Sequence, residues 1–204
     1  MSNMDLALSL IKDLEKFRPT AYQNTIKTTD GDYVKDKWTV GYGTTYYHTK
    51  RNRSVKEGDT ITGVEAEDEL IFFVDKLISP VIEDIEAEYG EPLPYKLRSC
   101  MYSLAYNCGI GSLKQSVKDS IIARDLDALK DVWLRYKFSQ GKVIPALETR
   151  RKEEFKIFED ELKREWTIHY GEKPKGVLVD KMKQCVVAIN NKTKELNDLI
   201  NKIT

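Results

Sequence analysis

Apolar side chains near the start of the chain recur at the spacing of an α-helix, with Leu6, Leu10 and Leu14 four residues apart. This pattern predicts an amphipathic helix, and Glu15 then lies at its C-terminal end. From 21 to 43 the composition changes to Thr, Tyr, Val and Trp, with Asp30-Gly31 near the middle. Such a segment is typical of a β-hairpin followed by a third short strand. The pattern therefore predicts a first helix and then a small sheet lobe over about 18–60.

A second helical pattern begins at Thr62, which has the spacing of a capping box with Glu65. Ser79-Pro80 interrupts it, and because Pro is tolerated in a first helical turn, Ser79 is expected to cap a second segment. We therefore expect a connector helix over about 62–89, either kinked or split. Beyond it the chain is helical in pieces, which predicts a helical lobe over about 94–168.

The last part of the chain differs from the rest. Residues 171–176 contain two glycines and a proline, which is typical of a linker, and an interrupted apolar stripe follows. We expect one main domain over 1–170, with a linker and an amphipathic helix over 171–204. That helix either binds a protein partner or a second copy of the chain, or folds back on its own domain.

Charge and hydropathy exclude two classes of protein. The 204 residues include 33 basic and 33 acidic ones, so no excess positive field is available to hold a nucleic acid. The longest apolar run, 70–74, is far shorter than the ~20 residues that span a bilayer. Charged residues interrupt the stretch where a secretory signal would need an apolar core, which predicts a protein made in the cytosol.

The cysteine count predicts neither disulfides nor a metal site. Three cysteines are an odd number, and their spacing is not that of zinc ligands: Cys100, Cys108 and Cys185. We expect buried free thiols and no metal or other cofactor. His48 and His169 stand alone in the sequence, and neither predicts any chemistry.

Five stretches of sequence carry the candidate chemistry. They are EKFRPTAY at 15–22, WTVGYGTT at 38–45, GDTIT at 58–62, SLAYNCGIG at 103–111, and the closing set WLRYK at 133–137, GKVIPAL at 141–147 and Arg150-Arg151. In this order, from about residue 5 to 158, they closely resemble the phage-type lysozymes, glycoside hydrolase family 24. An ordered set of this kind is far more specific than a single short motif.

The resemblance implies an α+β, lysozyme-like fold in which a long helix joins a small sheet lobe to a mainly helical lobe. It implies a muramidase that hydrolyses the β-1,4 bond between N-acetylmuramic acid and N-acetylglucosamine in bacterial peptidoglycan, with inversion. As a phage endolysin, such a protein is made in the host cytoplasm and reaches the cell wall through a separate membrane pore. A virion-associated location is the alternative.

The resemblance also assigns the site residues. Glu15 takes the place of the general acid that protonates the leaving oxygen, and Thr39 that of the threonine that positions the attacking water. Arg150 is expected to be the arginine partner of the glutamate, with Arg151 as the alternative. The residues expected to bind substrate are Tyr22, Tyr42, Asn107 and Arg150. Five sheet-lobe aromatics could stack on sugars, although about half of them would be core on an alternating strand: Tyr22, Trp38, Tyr42, Tyr46 and Tyr47.

One position departs from the family pattern. The second carboxylate of the family lies nine residues after the glutamate, where this chain has Asn24. Asparagine can hydrogen-bond a water but cannot accept its proton. The long hairpin also brings in Asp36, which could substitute as the base. If the turn centres on Asp30-Gly31, Tyr22 pairs with Thr39. In the same register Asp36 pairs with Thr25 on the face away from Asn24, unless a one-residue bulge turns it towards the site.

Three functions therefore stay open. The first is the muramidase; the second is a peptidoglycan-binding or virion structural module that kept the fold and lost its base. The third is a lytic transglycosylase, which needs one catalytic acid and tolerates Asn24. Products distinguish it, because a transglycosylase releases an anhydro sugar and a muramidase does not.

Overall fold

The computed structural model of the chain describes residues 3–23, 25–27, 33–35, 37–139 and 142–170. None of the helices in these ranges is both long enough and apolar enough to cross a membrane.

Two compact units divide the chain after Arg164. The first contains the sheet and most of the helices. In the second, 165–204, the described residues are 165–170, which form the end of the last helix. The predicted linker and helix over 171–204 lie outside the described residues, so that part of the domain organisation stays a prediction.

The described residues form a mainly helical fold with short antiparallel strand pairs. The helices are α1 (Asn3–Glu15), α2 (Gly63–Phe72), α3 (Ser79–Tyr89), α4 (Tyr95–Cys108), α5 (Ser116–Ile122), α6 (Leu126–Arg135) and α7 (Pro145–Tyr170). A π-helical stretch, Phe73–Ile78, joins α2 to α3, and a 3-10 turn, Ile110–Leu113, follows α4. The strands are β1 (Arg18–Tyr22), β2 (Thr25–Lys27), β3 (Tyr33–Lys35), β4 (Thr39–Gly41), β5 (Tyr46–Tyr47), β6 (Arg53–Ser54), β7 (Phe138–Ser139) and β8 (Lys142–Val143). The predicted α+β class is confirmed.

Helix α1 ends where its backbone turns left-handed. Lys16 has φ +57° and donates its N–H to the carbonyl of Lys12 at 3.1 Å. A left-handed residue closes a helix because its N–H can satisfy one of the last carbonyls. The buried Ala7 and Ile11 face inward, and α1 packs against α4. Glu15, the last residue of the helix, is therefore held between the start of the sheet and the helical lobe.

The first hairpin changes register partway along its length. Tyr22 lies opposite Thr39 in the β1–β4 pair, as predicted. In the β2–β3 pair Thr25 lies opposite Lys35, so two residues separate the positions on one strand and three on the other. The prediction that Thr25 pairs with Asp36 is therefore wrong. One extra residue on the return strand shifts the register, as a β-bulge does.

The connector between the lobes is continuous. Thr62 caps α2 with the predicted capping box: its hydroxyl accepts from the N–H of Glu65 at 3.2 Å, and the Glu65 carboxylate accepts from its N–H at 3.0 Å. The predicted cap at Ser79 is wrong, since Ser79 has helical angles and donates its hydroxyl to the carbonyl of Val74 at 3.1 Å. Pro80 has no N–H to donate, and the wide π turn before it carries the helix past this gap.

The sheet lobe packs on α2 through a close backbone approach. Gly41 has φ +64°, and a Cβ added there would lie 2.9 Å from the Cβ of Ala66. Only glycine fits both demands. Tyr47, one of the aromatics considered for sugar stacking, is instead buried in this lobe's core beside Val40 and Ile61.

The described cysteines differ in burial. Cys100 is buried, as predicted, and burial raises the pKa of its thiol well above the usual value. Cys108 is exposed, which corrects the prediction of a buried thiol there. It lies at the end of α4, where the chain leaves the helical lobe's core. Cys185 lies outside the described residues.

Candidate active site

Glu15 pairs with an arginine from the far end of the chain. Nη1 of Arg150 lies 2.7 Å from Oε1 of Glu15. The arginine side chain is 8% exposed and the glutamate side chain 22% exposed, so part of Glu15 remains accessible to solvent. Of the two neighbouring arginines, Arg150 is thus the one that contacts Glu15, and it is not a surface residue of its helix.

The remaining contacts of Arg150 hold its guanidinium in place. Nε donates to Oε1 of Glu154 at 3.2 Å, and Nη2 donates to the hydroxyl of Ser103 at 3.2 Å. Ser103 comes from α4, whereas Glu154 lies one turn further along α7. The guanidinium therefore bridges α1, α4 and α7, and its planar fork of donors suits that role.

Glu154 was not identified by sequence reasoning. It lies four residues after Arg150, a spacing that brings side chains together on a helix, and that signal was present in the sequence. In the fold it is 1% exposed and also accepts hydrogen bonds from Arg151 and Trp133. The arginine that contacts Glu15 is thus supported by a buried polar network.

The second carboxylate oxygen of Glu15, Oε2, lies near Gly43, which in turn lies against Tyr106. A Cβ added at Gly43, which has φ +101°, would lie 3.8 Å from Oε2 of Glu15 and 3.5 Å from the Tyr106 ring. The Tyr106 hydroxyl donates to the carbonyl of Tyr42 at 2.7 Å. Burial, with the nearby Glu15 carboxylate, raises the pKa of Tyr106, so the hydroxyl stays a donor. This bond ties α4 to the loop after β4.

A cavity of about 240 Å³ opens beside Gly43. Tyr46, His48 and Phe73 line it together with the Tyr106 ring. The His48 ring stacks on Phe72 with centroids 5.4 Å apart and an interplanar angle of 12°. The sequence assigned His48 no chemistry, because neither histidine has a second histidine or cysteine near it; in the fold its ring also packs on Tyr46, with centroids 4.9 Å apart. The cavity therefore has several aromatic side chains in its wall and borders Gly43, where an added Cβ would lie 3.8 Å from Oε2 of Glu15.

A buried carboxylate fixes the cavity wall. Glu69, on α2, is 4% exposed and accepts the backbone N–H of His48 at 2.7 Å and that of Thr49 at 3.0 Å. The hydroxyl of Thr49 also donates to it at 2.6 Å. These three bonds attach the loop after β5 to the connector helix, so the shape of the cavity depends on both.

Comparison with known proteins decides the family. The model of the phage lysozyme family matches residues 12–154. The chain belongs to the phage lysozyme family. Membership makes it a glycoside hydrolase of the lysozyme kind. The family predicted from the sequence motifs is confirmed. No curated protein sequence matches the chain significantly.

Solved structures share the lysozyme fold at low sequence identity. The muramidase domain of SpmX from Asticaccaulis excentricus is 24% identical, over 74% of this chain and 93% of that one, with a TM-score of 0.55. The endolysin from Escherichia coli O157:H7 phage FAHEc1 is 23% identical, over 79% and 95%, with a TM-score of 0.55. The active form of P1 phage endolysin Lyz is 19% identical, over 77% and 84%, with a TM-score of 0.56. These likenesses show the fold.

The two predicted lysozyme residues of the sheet are register partners. Thr39 lies opposite Tyr22, and its hydroxyl donates to the carbonyl of Lys37 at 3.1 Å. The Tyr22 ring lies under the guanidinium of Arg18, 4.2 Å from its carbon. Tyr22 is half-buried, and one of its ring faces is therefore occupied.

The other predicted residues of the lysozyme site are distributed as follows. Oδ1 of Asn107, near the end of α4, accepts from Nη2 of Arg151 on α7 at 3.2 Å. Tyr42 contributes its carbonyl to Tyr106, and its ring packs on Phe17 with centroids 5.5 Å apart. Asn24 and Asp36, the expected base position and its possible substitute, lie outside the described residues.

Proposed function

We propose that the protein is a muramidase that hydrolyses the β-1,4 bond between N-acetylmuramic acid and N-acetylglucosamine in peptidoglycan. The observation that supports this most directly is the 2.7 Å contact of Arg150 with a partly exposed Glu15, close to Gly43, which lines the cavity. A carboxyl that protonates a leaving oxygen needs both a fixed position and access to substrate. Family membership supplies the chemical class.

In the proposed reaction Glu15 donates its proton to the glycosidic oxygen, and Thr39 orients the water that attacks the sugar. The cavity next to Gly43 receives a sugar ring, for which Tyr46 and Phe73 offer aromatic faces. The absence of a side chain at Gly43 leaves room for the scissile bond close to the acid. Tyr22, Tyr42 and Asn107 are proposed to bind substrate with these groups.

Asn24 leaves the base of the proposed reaction without a carboxylate at the expected position. An amide cannot accept the proton of the attacking water, so that proton goes to Asp36 or leaves through solvent from an oriented water. The alternative function, a peptidoglycan-binding or virion structural module, follows if no group takes the proton. A transglycosylase needs no second carboxylate: once its single acid has given its proton to the leaving oxygen, the resulting carboxylate can accept the proton of the attacking substrate hydroxyl.

Cleavage of purified peptidoglycan by wild type and by Glu15→Gln tests the proposal. We expect the variant to lose about 100-fold or more in rate, the usual contribution of a general acid. Asp13→Asn is the matched control, because Asp13 is an exposed carboxylate on the same helix. It should cleave as wild type does. Equal rates for wild type and Glu15→Gln, or no cleavage by either, would contradict a muramidase.

Asn24→Asp distinguishes the alternatives. A large gain in cleavage would show that the native site lacks a base and would favour the impaired module, which binds peptidoglycan without cutting it. No gain beside good wild-type activity would favour Asp36 or an oriented water, and Asp36→Asn then separates these two. Mass spectrometry of the products identifies a transglycosylase by its anhydro sugar.

The proposed biological role is that of a phage endolysin. The protein is then made in the host cytoplasm and acts on the cell wall after release through a separate membrane pore. A virion-associated location is the alternative. Fractionation of infected cells and of purified virions, followed by detection of the chain, distinguishes the two.

A further inference from the structure

The buried carboxylate of Glu154 accepts hydrogen bonds from four donors. Oε1 accepts from the Ser103 hydroxyl at 2.7 Å, from Nη2 of Arg151 at 3.1 Å and from Nε of Arg150 at 3.2 Å. Oε2 accepts from Nε1 of Trp133 at 3.2 Å. Removing a carboxylate from water is costly unless such partners replace the solvent. The donors come from α4, α6 and α7, so the carboxylate is fixed in position.

The guanidinium of Arg150 connects the fixed Glu154 carboxylate to the carboxylate of Glu15. The guanidinium has three nitrogens in one plane, and each has a partner. Nε is held by Glu154 and Nη2 by Ser103, which leaves Nη1 directed at Glu15. Because the group is rigid, holding two nitrogens determines where the third one points.

The negative charge of Glu154 also helps to keep Arg150 in place. Arg150 and Arg151 are adjacent in sequence, both are buried, and burial lowers the pKa of Arg151 while Glu154 opposes that shift. Glu15 and Glu154 are the carboxylates that contact Arg150 among the described residues. Without Glu154 the two guanidinium groups would share less negative charge and repel each other, which favours a displacement of Arg150.

We propose that Glu154 is a positioning residue that acts through Arg150, holding the guanidinium so that it fixes the carboxyl of the acid Glu15. The inference rests on the proposed role of Glu15. Glu154 is 1% exposed and does not line the cavity, so it is not a catalytic residue.

Glu154→Gln tests the inference by separating kcat from KM. We expect kcat on soluble peptidoglycan fragments to fall at least about tenfold, because a misplacement on the order of 1 Å can cost about 100-fold. KM should stay unchanged, since the residue does not reach substrate. Glu86→Gln is the matched control: Glu86, on α3, is part-buried and pairs with Arg98 of α4 at 2.6 Å. It should keep the wild-type kcat.

A double-mutant cycle shows whether Glu154 acts through Arg150. In an Arg150→Gln background the additional change Glu154→Gln should reduce kcat little further, because the connecting group is already gone. Independent, multiplicative losses in kcat would overturn the inference. So would a folded Glu154→Gln variant with wild-type kcat.

A structural measurement keeps the inference independent of activity. In a crystal structure of Glu154→Gln we expect Nη1 of Arg150 beyond hydrogen-bond distance from Glu15. An unchanged contact would overturn the inference. If Arg150 is displaced in the variant but wild type cleaves no peptidoglycan, the proposed function is contradicted. The effect of Glu154 on the position of Arg150 is then still supported.

A milder variant covers the case in which Glu154→Gln does not fold. Ser103→Ala removes one hydroxyl that contacts both Glu154 and Arg150. It should lower kcat by roughly threefold or more at unchanged KM, since one charge-assisted bond of each partner is lost. An unchanged kcat in folded Ser103→Ala would count against the inference.

Discussion

At the scale of single residues, Gly43 sets how closely the backbone approaches the Glu15 carboxylate. Its φ of +101° is a conformation that other residues adopt only under strain. Any side chain there would point at Glu15 and at the Tyr106 ring. The glycine therefore serves both the backbone path after β4 and the free space beside the carboxyl.

Gly43→Ala separates these two requirements when it is compared with Gly58→Ala. Gly58 also has positive φ, +79°, but a Cβ added there would meet nothing within 4 Å. Both variants should lose about 1–2 kcal/mol of unfolding free energy from backbone strain. Only Gly43→Ala should also raise KM, because its methyl group occupies the cleft. Urea denaturation and steady-state kinetics measure the two effects, and an equal KM in both variants would contradict this reading of Gly43.

At the scale of elements, an ion pair secures the segment between β6 and α2. Arg53 donates to both oxygens of Asp59, at 2.7 and 2.8 Å, and the N–H of Lys56 donates to the same carboxylate at 2.9 Å. The carbonyl of Asp59 accepts from the N–H of Ala21 at 2.8 Å, which joins the segment to β1. The turn before the connector helix thus supports the first strand of the sheet.

This segment should make stability depend on pH in acid. The hydrogen bond from Arg53 lowers the pKa of Asp59 from its ordinary 3.8 to about 2. Since the folded pKa is depressed, the stabilisation is fully present above pH 4 and is lost as pH falls towards 2. The difference in unfolding free energy between wild type and Asp59→Asn should shrink over that window, as chemical denaturation at each pH would show. A constant difference would contradict the assignment, and Arg53→Gln should reproduce the effect.

At the scale of the whole molecule, the site is assembled from distant parts of the chain. Glu15 comes from α1, Gly43 from the loop after β4, Ser103 and Tyr106 from α4, and Arg150 from α7. All lie within the 12–154 range that matches the phage lysozyme family. The tail over 171–204 lies outside that range. The prediction for it stays that it binds a protein partner or a second copy, or folds back on its own domain.

Deletion of 171–204 tests that division of roles. We expect the shortened chain to cleave purified peptidoglycan at the wild-type rate, because the site and its supporting network lie within residues 15–154. Sedimentation of both chains shows whether the tail mediates self-association. A folded, shortened chain with greatly reduced cleavage would mean that the tail contributes to catalysis.

Local patterns accounted for much of the fold. The capping box of Thr62 and Glu65 and the end of α1 at Glu15 involve residues within one or two turns, so their spacing in sequence decides them. The pairing of Tyr22 with Thr39 also followed from the hairpin pattern. The register beyond that pair and the continuous helix at Ser79 did not, because a bulge and a π turn each add a residue that no local pattern marks.

By itself, the sequence determined the family, a glutamate at the end of the first helix, and the amide where a carboxylate is expected. Only the tertiary structure decided that Arg150 rather than Arg151 contacts Glu15, that Glu154 anchors it, and that His48 lines the cavity. The reason is physical. Glu15 and Arg150 are 135 residues apart, and which nitrogen faces which oxygen depends on how three helices pack, not on the order of residues along any one of them.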